Sequence, residues 1–121
     1  MGLYLKDINL RGKTALITGA TKGLGRGTAQ AIAEAGGNII AIGRNQSELN
    51  SLGIVIKKSR VKYISLNCDV NNFTHLKNFI SNLKSLDILV NNAGTNIPEA
   101  FLKVKKSSLE KLLNVNTKAA F

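Results

Sequence analysis

The stretch Thr18-Gly19-Ala20-Thr21-Lys22-Gly23-Leu24-Gly25 constrains this chain more than any other. It follows Thr14-Ala15-Leu16-Ile17, a run suited to a buried strand, and precedes Arg26 to Ala35, which is rich in alanine and free of proline. The glycines therefore sit where a strand turns into a helix. The first turn of a helix carries N–H groups without intrahelical partners, and the positive end of the helix dipole adds to them, so the turn attracts phosphate. Glycine there lets a pyrophosphate approach the backbone and accepts φ > 0. A glycine-rich string alone is a weak signal; the strand before it and the helix after it give it weight.

The rest of the chain repeats the alternation. Strand 1 is expected over Lys13 to Thr18 and the first helix over Gly23 to Ala35, ended by Gly36-Gly37. Strand 2, Asn38 to Ile42, is apolar enough to be buried on both faces. Asn45 and Glu48 have capping spacing for a second helix, which Gly53 and Ile54-Val55-Ile56 should keep short. Strand 3, Lys62 to Cys68, alternates as an edge strand does. A third helix, Phe73 to Leu83, sets Phe73, Leu76, Ile80 and Leu83 on one face. Strand 4, Leu86 to Asn91, reads as buried on both sides. The last helix opens on Ser107 and Glu110 at capping-box spacing and runs to Phe121 with an apolar stripe of Leu109, Leu112, Leu113 and Ala120. The expectation is an α/β, Rossmann-type doubly wound parallel sheet of order 3-2-1-4, one domain over 1–121. Strand 4 would then be an edge that reads as buried, as though a partner strand were missing.

At 121 residues the chain suffices for one domain, and no apolar run reaches the length of a membrane span. Met1 to Arg11 lacks the apolar core of a secretory signal, and the single Cys68 suits a reducing compartment, so the expected location is cytoplasmic, with no membrane partner. The net charge of +10 raises the question of nucleic acid. The basic residues are scattered from Lys6 to Lys118 and aromatics are few, so no nucleic-acid partner is expected; the charge instead favours an anionic ligand by steering. No metal-ligand set is assigned.

The end of strand 2 decides the cofactor. A dinucleotide fold that selects NAD places an acid there for the ribose 2′-hydroxyl. No acid occurs between Ala35 and Ser47; Arg44 and Asn45 follow the strand instead. Arginine holds a 2′-phosphate through paired, charge-assisted hydrogen bonds, and Lys22 in the loop adds a second positive charge. NADP (NADPH) is therefore expected and NAD disfavoured; the alternative for Arg44 is a solvated surface arginine.

The spacing Thr-Gly-x-x-x-Gly-x-Gly at Thr18 to Gly25, joined to Asn91-Asn92-Ala93-Gly94 after strand 4, resembles the short-chain dehydrogenase/reductase family. The resemblance implies that Thr18, Gly19, Thr21, Lys22, Gly23, Leu24 and Gly25 cradle the cofactor. It places Asp69 and Val70 against the adenine, where the residues alone also fit a helix cap or strand-end turn for Asp69. It sets Asn92, Ala93 and Gly94 along the ribose and nicotinamide. Asn114-Val115-Asn116 resembles the family's Asn-Val-Asn, in which the second Asn, here Asn116, holds a water of the proton relay; Asn116 also falls on the apolar stripe, where a satisfied structural amide is the alternative.

Family chemistry is hydride transfer between nicotinamide and a carbonyl or alcohol carbon, with a tyrosine exchanging the proton and a lysine four residues on lowering its pKa. Here Tyr4 is followed at that spacing by Ile8, and Tyr63 by Asn67. The expectation is thus the cofactor-binding, N-terminal portion of a longer NADP-dependent oxidoreductase that acts on a small polar carbonyl or alcohol and assembles as a homo-oligomer, a dimer or tetramer. The alternative is a non-catalytic dinucleotide-binding module.

Overall fold

The computed structural model describes residues 7–121; Tyr4, and the readings of Met1 to Arg11 that fall on the first six residues, lie outside them. Four parallel strands, β1 (Thr14–Thr18), β2 (Asn38–Gly43), β3 (Tyr63–Asn67) and β4 (Ile88–Val90), form one sheet in the order β3-β2-β1-β4. The helices α1 (Gly23–Glu34), α2 (Gln46–Lys57) and α3 (Phe73–Ser81) connect successive strands, and α4 (Lys106–Asn116) follows β4. The expected Rossmann-type sheet is the one observed.

The central strands show why. In β1, Ala15 and Ile17 point to one face and Leu16 to the other; in β2, Ile39 and Ala41 share the first face while Ile40 and Ile42 take the second. The first face packs against Ala29 and Ala33 of α1 and Leu49, Leu52 and Ile56 of α2. The alanines let α1 lie close to the sheet. The large side chains that are fully buried are Leu16, Ile17, Ile39, Ile42, Leu49, Leu52 and Ile56, and all but Leu16 and Ile42 lie on that face. At about 1.5–3 kcal/mol for each such side chain, the α1/α2 side carries most of the burial. The other face is thinner: Leu76, Phe79, Leu83, Val115 and Ala119 pack there only partly buried.

Several local expectations change. Helix α2 is a full twelve residues, not short. A Cβ on Gly53 would lie 2.7 Å from Cε1 of Tyr63, so the glycine admits the Tyr63 ring, whose hydroxyl donates to the Leu49 carbonyl at 2.7 Å. That packing outweighs the small helix penalties of Gly53 and the β-branched run. On α3 the inward residues are Leu76 and Phe79, with Leu83 just beyond the helix; Phe73 and Ile80 are exposed, because only a narrow stripe meets the sheet.

Strand β4 is three residues long and Leu89 is 55% exposed, so it is not buried on both faces. Its entry is fixed by Asp87, whose carboxylate accepts from the Thr14 N–H at 2.9 Å while its own N–H donates to the Thr14 carbonyl at 3.0 Å. The capping box of the last helix does not form. Its N-cap is Lys105, which makes no side-chain cap bond. Glu99 from the preceding loop takes over, accepting from the Lys105 N–H at 3.1 Å and the Ser108 hydroxyl at 2.9 Å. The helix stops at Asn116 and a 3-10 turn, Lys118–Ala120, follows. Val115 and Ala119 face the core, whereas Leu109, Leu113 and Asn116 are exposed, so Asn116 does not face inward.

Candidate functional site

The loops that leave the carboxyl ends of the strands enclose one cleft of about 500 Å³. Open parallel sheets bind ligands at this edge. Of the residues picked from the sequence, Gly19, Thr21, Lys22, Arg44, Asn45, Asp69, Val70, Asn92, Ala93 and Gly94 line it; Thr18, Gly23, Leu24, Gly25 and Asn116 do not.

Thr18 works from behind the cleft wall. Its Oγ1 accepts from the N–H groups of Asn92 at 3.1 Å and Ala93 at 3.0 Å, tying the end of β1 to the turn after β4. The Asn92 amide then donates to the carbonyls of Thr18 at 3.2 Å and Gly19 at 3.0 Å. The glycine loop and the Asn-Asn-Ala-Gly turn are thus one hydrogen-bonded unit.

The glycines have different roles. Gly19 and Gly23 have φ of +62° and +52°, a region where a side chain strains the backbone. Gly23 otherwise faces open space, so its requirement is conformational. At Gly25 a Cβ would collide with the Gly19 carbonyl and the Asn92 amide nitrogen; this glycine seats helix α1 against the loop. Gly25→Ala is therefore expected to cost about 1–3 kcal/mol of stability, while Gly27→Ala, with nothing within 4 Å, gains a few tenths or more. Urea unfolding of both variants checks the contrast.

Helix α1 begins without a side-chain cap and without an acid in its first turn, so its N-terminal N–H groups stay available to an anion. Leu24 is 85% exposed and contributes only backbone there. Arg26 is committed elsewhere, donating to the Thr21 carbonyl at 3.3 Å and Ser51 Oγ at 3.2 Å.

Across the cleft, the Asn45 side chain caps α2 by accepting from the Glu48 N–H at 3.1 Å. The Glu48 carboxylate turns to Lys22, with Oε1 3.0 Å from the ammonium. The Lys22 hydrogen bond, and then one from Thr21, hold the Glu48 carboxyl below its ordinary pKa. Arg44 is exposed and has no ion-pair partner among the described residues.

Asp69 forms a strand-end turn, accepting from the Asn71 N–H at 2.9 Å, and the cap of α3 is Asn72. Cys68, buried beside it, donates to the Asp69 carbonyl at 3.1 Å. Burial, followed by the nearby Asp69 charge, raises its pKa, which keeps the thiol protonated and unreactive. The Asn116 amide lies outside the cleft lining. It accepts from the Thr95 N–H at 2.7 Å and donates to the Thr95 carbonyl at 2.9 Å, fixing the segment just after Gly94.

Sequence reasoning missed Ile42, Gly43, Glu48, Cys68 and Val115 in the lining. Most are strand ends adjacent to residues already chosen. Glu48 is different: it joins the cleft through its ion pair with Lys22, a contact between segments distant in the sequence.

The strand order, the glycine turn and the cleft at the carboxyl edge define a Rossmann-type α/β protein. The model for short chain dehydrogenase matches residues 13–121, and the chain belongs to that family. It is 38% identical over 114 residues to a 3-oxoacyl-acyl-carrier-protein reductase of Rickettsia felis, covering 94% of this chain and 46% of the relative. It is 35% identical over 113 residues to L-xylulose reductase of Mesocricetus auratus, covering 93% and 45%. L-sorbose reductase of Gluconobacter frateurii, solved with NADPH and L-sorbose, superposes with a TM-score of 0.84 at 28% identity, over 94% of this chain and 45% of that one. Carveol dehydrogenase of Mycobacterium avium, solved with NAD, gives 0.80 at 26% identity, over 92% and 46%. The chain spans about half the length of the curated relatives it matches.

Proposed function

We propose that this chain is the cofactor-binding portion of an NADP-dependent oxidoreductase that acts on a small carbonyl or alcohol. The observation that carries the reading is Arg44: a cation without a partner among the described residues lines the cleft where β2 ends, and no acid follows that strand before Glu48. The uncapped start of α1 lies on the same edge for the pyrophosphate, and Asp69 with Val70 forms the wall for the adenine. When bound, the nicotinamide dinucleotide supplies or accepts a hydride at the substrate carbon. Asn92, Ala93 and Gly94 border its ribose and nicotinamide end. The Asn116 amide uses one acceptor and one donor on Thr95, and its remaining lone pair and N–H are the groups that would hold a relay water. Relatives named for sugar and oxoacyl substrates fit a polar carbonyl, and the exposed Leu109 and Leu113 of α4 suit subunit contact in a homo-oligomer. No described helix is long and apolar enough to cross a membrane.

A second reading, a dinucleotide-binding module without catalysis, is favoured by one observation: neither tyrosine has a lysine four residues later. Both readings require the cleft to bind the cofactor. Ligand-detected NMR on the chain is expected to show saturable NADPH binding that adenosine 2′,5′-bisphosphate displaces. Absence of such binding rules out both.

A further inference from the structure

The Lys22–Glu48 pair is the one ion pair in this cleft among the described residues. It bridges the loop after β1 and the first turn of α2, the two segments that flank Arg44. With side chains 78% and 30% exposed, it belongs to the class of pairs that add little to stability. Its effect on a bound anion is larger, because both partners line the cleft that Arg44 also lines. A phosphomonoester brings about −1.5 to −2 charges. Arg44 and Lys22 offer two positive charges, and Glu48 cancels one and occupies the Lys22 ammonium.

We propose that Glu48 is a specificity-determining residue that limits the preference for the 2′-phosphorylated dinucleotide by holding Lys22 away from the phosphate. This rests on the reading of the cleft as an NADP site. Arg44 is then the sole unopposed contact, and Lys22 becomes the second only when it leaves Glu48. Arg26 does not substitute, because its guanidinium is held by the Thr21 carbonyl and Ser51.

The test is ligand-detected NMR titration of the chain with adenosine 2′,5′-bisphosphate and with adenosine 5′-monophosphate, which differ only in the 2′-phosphate. Glu48→Gln removes the charge yet keeps the backbone N–H that Asn45 caps, so its thermal melt should overlay that of the unmodified chain. Glu48→Gln is expected to tighten the bisphosphate about threefold to fivefold, the range of an exposed charge pair, and to change the monophosphate by less than about twofold. In a Lys22→Met background the gain should vanish, because there is no ammonium to release. An unchanged ratio, weaker bisphosphate binding, or a gain that persists without Lys22 overturns the inference. If the unmodified chain prefers the bisphosphate and Glu48→Gln leaves the ratio alone, only this inference fails. If the unmodified chain binds neither probe, the NADP reading fails with it.

Discussion

Replacing Arg44 with aspartate is expected to weaken NADPH about a hundredfold and to leave NADH within about threefold. Arg44 is exposed, lines the cleft at the end of β2, and has no competing ion pair among the described residues. Its fork is thus available for two charge-assisted hydrogen bonds to a 2′-phosphate, each contributing about 1.5–3 kcal/mol at best. Solvent screens an exposed site, so about half of that sum, about 1.5–3 kcal/mol, is expected, and a hundredfold, about 2.8 kcal/mol, lies toward its upper end, where the repulsion introduced by aspartate places it. Aspartate also restores an acid where NAD-selecting folds place one for the ribose hydroxyls. NADH should therefore lose little. Arg44→Lys keeps the charge without the planar fork, and should fall between the two. Titration of both cofactors against the three proteins decides the matter. Equal losses of NADPH and NADH would make Arg44 a general electrostatic feature and remove the basis for an NADP preference.

The parts of the molecule legible in the sequence are those where one residue type has few other uses. Apolar runs at β1 and β2 announced central strands, and both are buried on two faces. The glycine turn, the Asn45 cap and the strand order were readable for the same reason. The failures have physical causes. The short-helix expectation for α2 weighed the propensity of Gly53 and could not see Tyr63 lying over it. The capping box at Ser107 was a correct spacing outcompeted by a partner from outside the helix, Glu99. Helical periodicity put Leu109, Leu113 and Asn116 on one stripe, yet these are exposed, and the segment seats on Val115 of α4 and Ala119 of the turn after it. In the cleft, the cations were found and Glu48 was not, because a tertiary ion pair leaves no local pattern.

The 121-residue chain by itself is expected to turn over no NADPH with diketones or ketoses, and to self-associate. The chemical half follows from proton transfer. Reduction of a carbonyl needs an acid beside the nascent alkoxide, and the family's acid is a tyrosine whose pKa a lysine four residues on lowers. Tyr63 has Asn67 at that spacing, its hydroxyl is bound to the Leu49 carbonyl at 2.7 Å, and burial raises its pKa rather than lowering it. Tyr4 has Ile8. The physical half follows from the sheet. Strand β4 lies at its edge with Leu89 55% exposed, and Leu109 and Leu113 of α4 are 49% and 46% exposed. An open apolar edge pairs with other chains. Size-exclusion chromatography with light scattering should give masses above the 13.0 kDa of one chain. Leu89→Lys should shift the population toward that value, since a charge on an edge strand blocks pairing. NADPH should still bind, because Arg44 lines the cleft and the start of α1 is uncapped. A monodisperse monomer that oxidises NADPH would mean that another residue carries the proton, and that this length of chain is a working enzyme.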